Sequence, residues 1–292
     1  MDEDPGDAIA DALDLLKQLT LVKSTPGCLS VHPLVQKAWL HPKVSSDAGR
    51  PRLELLEMDA LQRLVGVVCK LLDYRFPRAD VGGQSHWGKW ETCARYMAHV
   101  ESAKRHYEEF NKRPRPRNAA VNKIPVPPEL TKLVQNSSWY QYELGDYDKC
   151  LELAHFGQKL SVEGSDEYAH FSSNAACAHF ELHEVRKGQA EIDAALAIRE
   201  PTLGPNDSQL ANAFNNKGIL LCSAGEYQRA LEFHNRCFKI RRVTKDNYLG
   251  GCHFHRGIVN MLLGNLATAE KELVTCGDIC RQGGRAMDFL LS

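Results

Sequence analysis

The sequence has no apolar run long enough to cross a bilayer. The longest, Leu64 to Leu72, falls well short of the ~20 residues a spanning helix needs, and Lys70 interrupts it. The start, Met1-Asp2-Glu3-Asp4, is acidic, whereas a secretory leader opens with basic residues and an apolar stretch. These absences make the cytoplasm the expected compartment and give no membrane partner. Neither charge is in excess: 36 lysines and arginines face 37 aspartates and glutamates, a formal net charge of −1. No global field draws such a chain to nucleic acid. The ten cysteines include no Cys-x-x-Cys pair. Without paired spacing they read as reduced, buried small residues.

Chemistry-bearing motifs are also missing. A phosphate-cradling loop needs Gly-x-x-x-x-Gly-Lys-Ser/Thr after a strand. Gly83-Gln84-Ser85-His86-Trp87-Gly88-Lys89-Trp90 has the spacing, but Trp90 cannot ligate magnesium and no strand precedes it. Cys252-His253-x-His255 and Cys276-x-x-x-Cys280 offer soft ligands, yet structural zinc wants four ligands in tight pairs, and nothing in the spacing brings these two groups together. No nucleophile sits in an activating motif. The expectation is a chain that is not an enzyme, with no cofactor and no metal.

What is present is helical periodicity. Apolar residues make up 43% of 292 residues, enough for a continuous core. Ala8, Ile9, Ala12, Leu13, Leu16 and Leu19 recur at helical spacing. Leu21-Val22 and Leu29-Ser30-Val31 flank the turn signal Ser24-Thr25-Pro26-Gly27, and a helix follows from Pro33. This is a hairpin between helices, a small winged-helix-like remnant over 1–42. A helical segment covers 52–110, with Phe76-Pro77 ending its first helix. Residues 111–128 form a proline-rich basic linker, carrying Lys112, Arg113, Arg115, Arg117 and Lys123 with no acid between them. Residues 112–117 read as a solvated linker, with nuclear import as the alternative.

From Glu129 the chain repeats. Leu144-Gly145-Asp146-Tyr147, Leu182-His183-Glu184-Val185, Ala224-Gly225-Glu226-Tyr227 and Leu263-Gly264-Asn265-Leu266 align at spacings of 38, 42 and 39 residues. Each lies between two stretches of helical periodicity, as stacked hairpins require. Three columns carry small residues: Ser138, Ala176, Gly218 and Gly257; Cys150, Gly188, Ala230 and Ala269; Gly157, Ala195, Cys237 and Cys276. Small residues there let the two helices of a hairpin approach. The predicted fold is all-α, a solenoid of about four helical hairpins over 129–283 behind the remnant and the helical segment. An apolar face left open on the last hairpin points to self-association or a partner.

The pattern resembles tetratricopeptide repeats. The third unit, Leu203-Gly204-Pro205-Asn206-Asp207, then Leu210 to Gly218, then Gly225-Glu226-Tyr227-Gln228-Arg229-Ala230-Leu231, is similar to the repeats of kinesin light chains. Leu19-x-Leu21-Val22 with Leu29-Ser30-Val31-His32-Pro33-Leu34-Val35-Gln36 resembles the winged-helix end of fungal nucleotide-binding immune-type receptors of the STAND or NB-ARC class. The run from Phe76-Pro77 through Trp90-x-x-Cys93-x-x-Tyr96-Met97-x-His99-Val100 resembles the helical segment that follows it there.

This resemblance implies a non-catalytic protein-interaction scaffold, the sensor half of such a receptor, with a stand-alone adaptor like kinesin light chain as the alternative. His32 then stands at a nucleotide-sensing position, although Pro33 replaces the family's aspartate. The exposed face of each first helix would line a groove for a protein or peptide: Lys132, Gln135, Trp139 and Tyr142; His170, Ser173 and Asn174; Asn212, Asn215 and Asn216; Phe254 and His255. The groove lacks the lysine–arginine set that clamps a C-terminal carboxylate in chaperone-binding relatives.

Overall fold

The computed structural model describes residues 22–25, 28–31, 65–78, 86–112, 125–245 and 248–283. The chain divides into two compact units, Met1–Glu57 and Met58–Ser292. In the first, β1 (Val22–Thr25) runs antiparallel to β2 (Cys28–Val31), pairing Val22 with Val31 and Thr25 with Cys28. The hairpin forms where expected, but β1 takes in Ser24 and Thr25 of the turn signal, so the reversal is confined to the two residues between Thr25 and Cys28. The helices expected around this hairpin, His32, and most of the basic linker lie outside the described residues.

The second unit has ten helices among its described residues. They are α1 (65–75), α2 (Trp90–Lys112), α3 (Pro128–Glu143), α4 (Tyr147–Leu160), α5 (Asp166–Glu181), α6 (Val185–Thr202), α7 (Ser208–Ser223), α8 (Tyr227–Thr244), α9 (Leu249–Leu262) and α10 (Leu266–Gly283). From α3 onward they form four hairpins, each with a first and a second helix. Pro128 opens α3, where a missing N–H costs nothing. Ser165 and Asp207 cap α5 and α7 by accepting the N–H of Tyr168 (3.2 Å) and Gln209 (2.8 Å).

The four corners share one construction. Gly145, His183, Gly225 and Gly264 take left-handed backbone at φ 80°, 58°, 79° and 81°. The next N–H then closes back on the helix: Asp146 to Gln141 (3.0 Å), Glu184 to His179 (2.8 Å), Glu226 to Leu221 (2.9 Å) and Asn265 to Asn260 (2.9 Å). This satisfies carbonyls that a helix end leaves open.

All twelve positions of the three small-residue columns are buried. A Cβ on Gly157 would lie 2.2 Å from the Phe171 ring, and one on Gly218 would lie 2.6 Å from the His234 ring. The neighbouring side chains fill the space that glycine leaves, so the columns record close helix approach.

The first helices form one layer: α3 touches α5, α5 touches α7 and α7 touches α9, while successive second helices make no comparable approach. Helices closer on one side than on the other curve the stack toward the first-helix layer. The segment before the repeats packs on this stack. His86 is fully buried, edge-on to Phe76 and Tyr140. Its backbone N–H and the indole N–H of Trp90 both donate to the Glu143 carboxylate, at 2.8 and 3.0 Å. Trp90 thus has a structural role at the place where a phosphate loop would need Ser or Thr. Lys104 bonds Glu152 at 2.6 Å, and Lys149 bridges Glu101 and Glu152, joining α2 to α4.

Candidate functional site

Helical periodicity puts the groove residues on the first helices, and the structure shows which polar groups are already engaged. In α3, Trp139 stacks on Tyr142 with ring centres 4.8 Å apart, and the Tyr142 hydroxyl donates to Glu181 of α5 at 3.1 Å. Burial, then nearby Cys177 and Glu181, raise the Tyr142 pKa, so it remains a neutral donor. Lys132 is exposed and Gln135 is half-buried.

The asparagines divide into two kinds. Asn174 donates to the Ser138 hydroxyl at 2.7 Å, and Asn216 donates to the Cys177 sulfur at 3.2 Å. Both bonds join consecutive first helices, so these amides hold the inner layer together. The Asn212 side-chain oxygen accepts from Arg241 at 2.6 Å. Asn215 is half-buried and has no side-chain hydrogen bond among the described residues. Ser173 is turned into the helix layer: its hydroxyl donates to the Ala169 carbonyl (2.9 Å) and accepts from Arg199 (3.1 Å).

Arg199 and Arg241 are equivalent positions near the ends of α6 and α8, and both are buried. Arg199 reaches Asp166, Ser173 and Gln209, joining α5, α6 and α7. Arg241 lies over the Tyr248 ring at 4.8 Å. These cations act on the groove histidines. Burial, then Arg199, lower His170 to about 4, against a smaller opposing pull from Asp166. Burial, then Arg241, lower His255 to about 4. His255 stacks on His234 at 5.1 Å and meets Phe254 edge-on. Both histidines are therefore neutral near pH 7.

The soft-ligand groups do not converge into a zinc set. His253 pairs with Glu272 at 2.6 Å, His255 stacks on His234, and the Cys252 sulfur lies 3.5 Å from that of Cys237. Three of the thiols are poor nucleophiles, because burial leads the rise of Cys69 to about 12, Cys93 to about 11 and Cys177 to about 12. One group of metal-ligating side chains does converge among the described residues, His155 with His179 and Glu191, from α4, α5 and α6. Sequence spacing gave no sign of it, since the three are 24 and 12 residues apart on three different helices.

Residues 167–242 match the tetratricopeptide repeat family model. That stretch covers the second and third hairpins. Among solved structures, BtubC (BKLC) from P. vanneervenii aligns with a TM-score of 0.53 and 19% identity, covering 77% of this chain and 90% of that one. The apo form of RapI aligns with a TM-score of 0.51 and 14% identity, over 67% of this chain and 66% of that one. The nearly identical TPR-like repeats of a Podosopora anserina protein described as a kinesin light chain align at a TM-score of 0.48 and 14% identity, over 68% and 96%. No curated protein matches. At these identities the likenesses show the fold alone: an all-helical, tetratricopeptide-like solenoid. Among the described residues, no helix is long and apolar enough to cross a membrane.

Proposed function

We propose that this chain is a non-catalytic scaffold that holds an extended peptide segment of a protein partner along the inner face of its first helices. Tetratricopeptide repeats support a protein-interaction scaffold in general. The observation that carries the specific reading is the difference between the two kinds of asparagine. Asn174 and Asn216 are consumed in joining repeats, whereas Asn215, on the same layer, has its amide donor and acceptor unengaged. An unengaged carboxamide can bond both the N–H and the C=O of an extended backbone. The Trp139–Tyr142 stack supplies an aromatic shelf for a side chain. The neutral histidines argue against an anionic ligand as the preferred one.

The test is random-peptide display against the full chain, followed by titration of the selected peptides. Asn215→Ala and Trp139→Ala should each weaken binding about tenfold or more, the loss expected of a residue worth more than ~1.4 kcal/mol. Unchanged affinity in both variants would remove the groove from the function.

A second reading makes the chain the sensor half of a nucleotide-binding receptor. The hairpin of β1 and β2, which overlaps the receptor-like residues at Val22 and Leu29–Val31, supports this reading. An in-frame phosphate-binding loop upstream of Met1 in the transcript would establish it and make His32 a nucleotide-sensor candidate. A transcript without one leaves the adaptor reading, in which peptide binding is independent of nucleotide.

A further inference from the structure

We propose that His155, His179 and Glu191 form a binding site for a divalent transition metal of the zinc class, bridging the first and second hairpins. One ligand atom from each residue lies within 4.8 Å of the others. His155 comes from the second helix of the first hairpin, and His179 and Glu191 come from the two helices of the second. An ion held by all three joins three consecutive helices.

The surroundings orient the ligands. His179 is buried, and its Nδ1 lies 2.7 Å from Oε2 of Glu184. A carboxylate on Nδ1 holds the proton there and leaves Nε2 with a free lone pair, the arrangement that metal-binding histidines usually show. Gln158 donates to Oε2 of Glu191 at 2.8 Å and also to the Ser172 hydroxyl. That fixes the Glu191 carboxylate with Oε1 toward His155, whose Nε2 is 3.7 Å away. Thus two of the three ligands are held by a second residue that is not itself a ligand.

The third ligand, His155, is the adjustable one, with 44% of its side chain exposed. Zinc bonds of about 2.0–2.1 Å place tetrahedral ligands roughly 3.4 Å apart. The present spread of up to 4.8 Å needs a closure of about 1.4 Å, and the exposed imidazole of His155 is the ligand with the most room to move. Two imidazoles and one carboxylate favour zinc-class ions over magnesium or calcium, which take oxygen ligands. Three protein ligands leave a fourth position for water. The hydrogen bond to Glu184 orients His179 and the ion pair with Glu191 places His155, but neither contact requires all three ligand atoms to lie within 4.8 Å of one another.

The experiment uses the full chain and the metal alone. Zinc titrated by calorimetry should bind at one site per chain that is lost in both His155→Asn and Glu191→Gln, and saturating zinc should raise the Tm of the parent but not of the variants. Glu184→Gln should retain the site with affinity reduced about tenfold or more, because it removes only the group that orients His179. Cobalt should give the visible absorption of a tetrahedral site without the near-ultraviolet band of thiolate ligation. Circular dichroism of the two ligand variants should match the parent, since His155 is at the surface. Three outcomes overturn the proposal: a thiolate band, undiminished zinc binding in both ligand variants, or no zinc binding in the parent at micromolar concentrations.

Discussion

His183 occupies a corner that its three counterparts fill with glycine. At φ 58° its Cβ is crowded by the backbone, a cost of roughly 1–2 kcal/mol for a residue other than glycine. The side chain is exposed. His183→Gly therefore removes strain while adding some unfolded-state entropy, and should stabilise the protein by about 0.5–1 kcal/mol. Urea denaturation at constant m-value checks this, and a destabilised variant would show that the His183 side chain contributes more than its position costs. This corner also shows what a sequence reveals at the scale of single residues. His183 departs from the glycine pattern, yet spacing alone assigned it to the corner, because the register of two helices fixes where the chain must reverse. The asparagines were less legible. Asn174, Asn215 and Asn216 look alike in the sequence, and only the contacts across to the preceding helix separate the amides that join repeats from the one that does not.

At the scale of elements, the end of α3 is anchored by a carboxylate that no local pattern announces. Glu143 receives bonds from His86 and Trp90, more than 50 residues earlier in the chain. Burial raises the pKa of its carboxyl, but the bonds from His86 and Trp90 outweigh that effect and leave it lowered. A carboxylate with a lowered folded pKa contributes stability above its unfolded value near 4.5, and that stability is lost as pH falls through the folded value. Glu143→Gln should cost about 2–3 kcal/mol at pH 7, the worth of hydrogen bonds to a buried charge. The difference from the parent should narrow below about pH 4.5, which urea denaturation at both pH values would show. A gap independent of pH would mean that the charge is not what anchors the helix. The sequence exposed this segment's helices through their periodicity. It could not expose the anchor, because a lone glutamate near a helix end is ordinarily solvated. The convergence of His155, His179 and Glu191 was hidden for the same reason: it exists only once three helices are packed.

Across the whole molecule, neutral histidines with little access to water make the solenoid sensitive to acid. Burial is the leading cause in each case, with Arg199 assisting at His170, His255 and Arg256 at His234, and Arg241 at His255. The folded values are about 4, 3 and 4, against 6.5 for an unperturbed histidine. Between those limits the unfolded chain binds protons that the folded chain refuses. Stability is complete above about 6.5 and declines as pH falls toward 4. The Tm should accordingly drop between pH 7 and pH 5, and His255→Asn should flatten that slope. A Tm constant across the range would contradict the desolvation of these rings.

The hairpins make their substantial contacts only with immediate neighbours, and this has a mechanical consequence. Tension applied across the ends of the stack passes through its junctions in series, so each one bears the whole load. The weakest yields first, while the others remain closed. With corners 38 to 42 residues apart, each hairpin that opens releases roughly 13 nm of extended chain. The stack behaves as a row of latches that lengthens in steps under load, and recoils in the same steps when the load is removed.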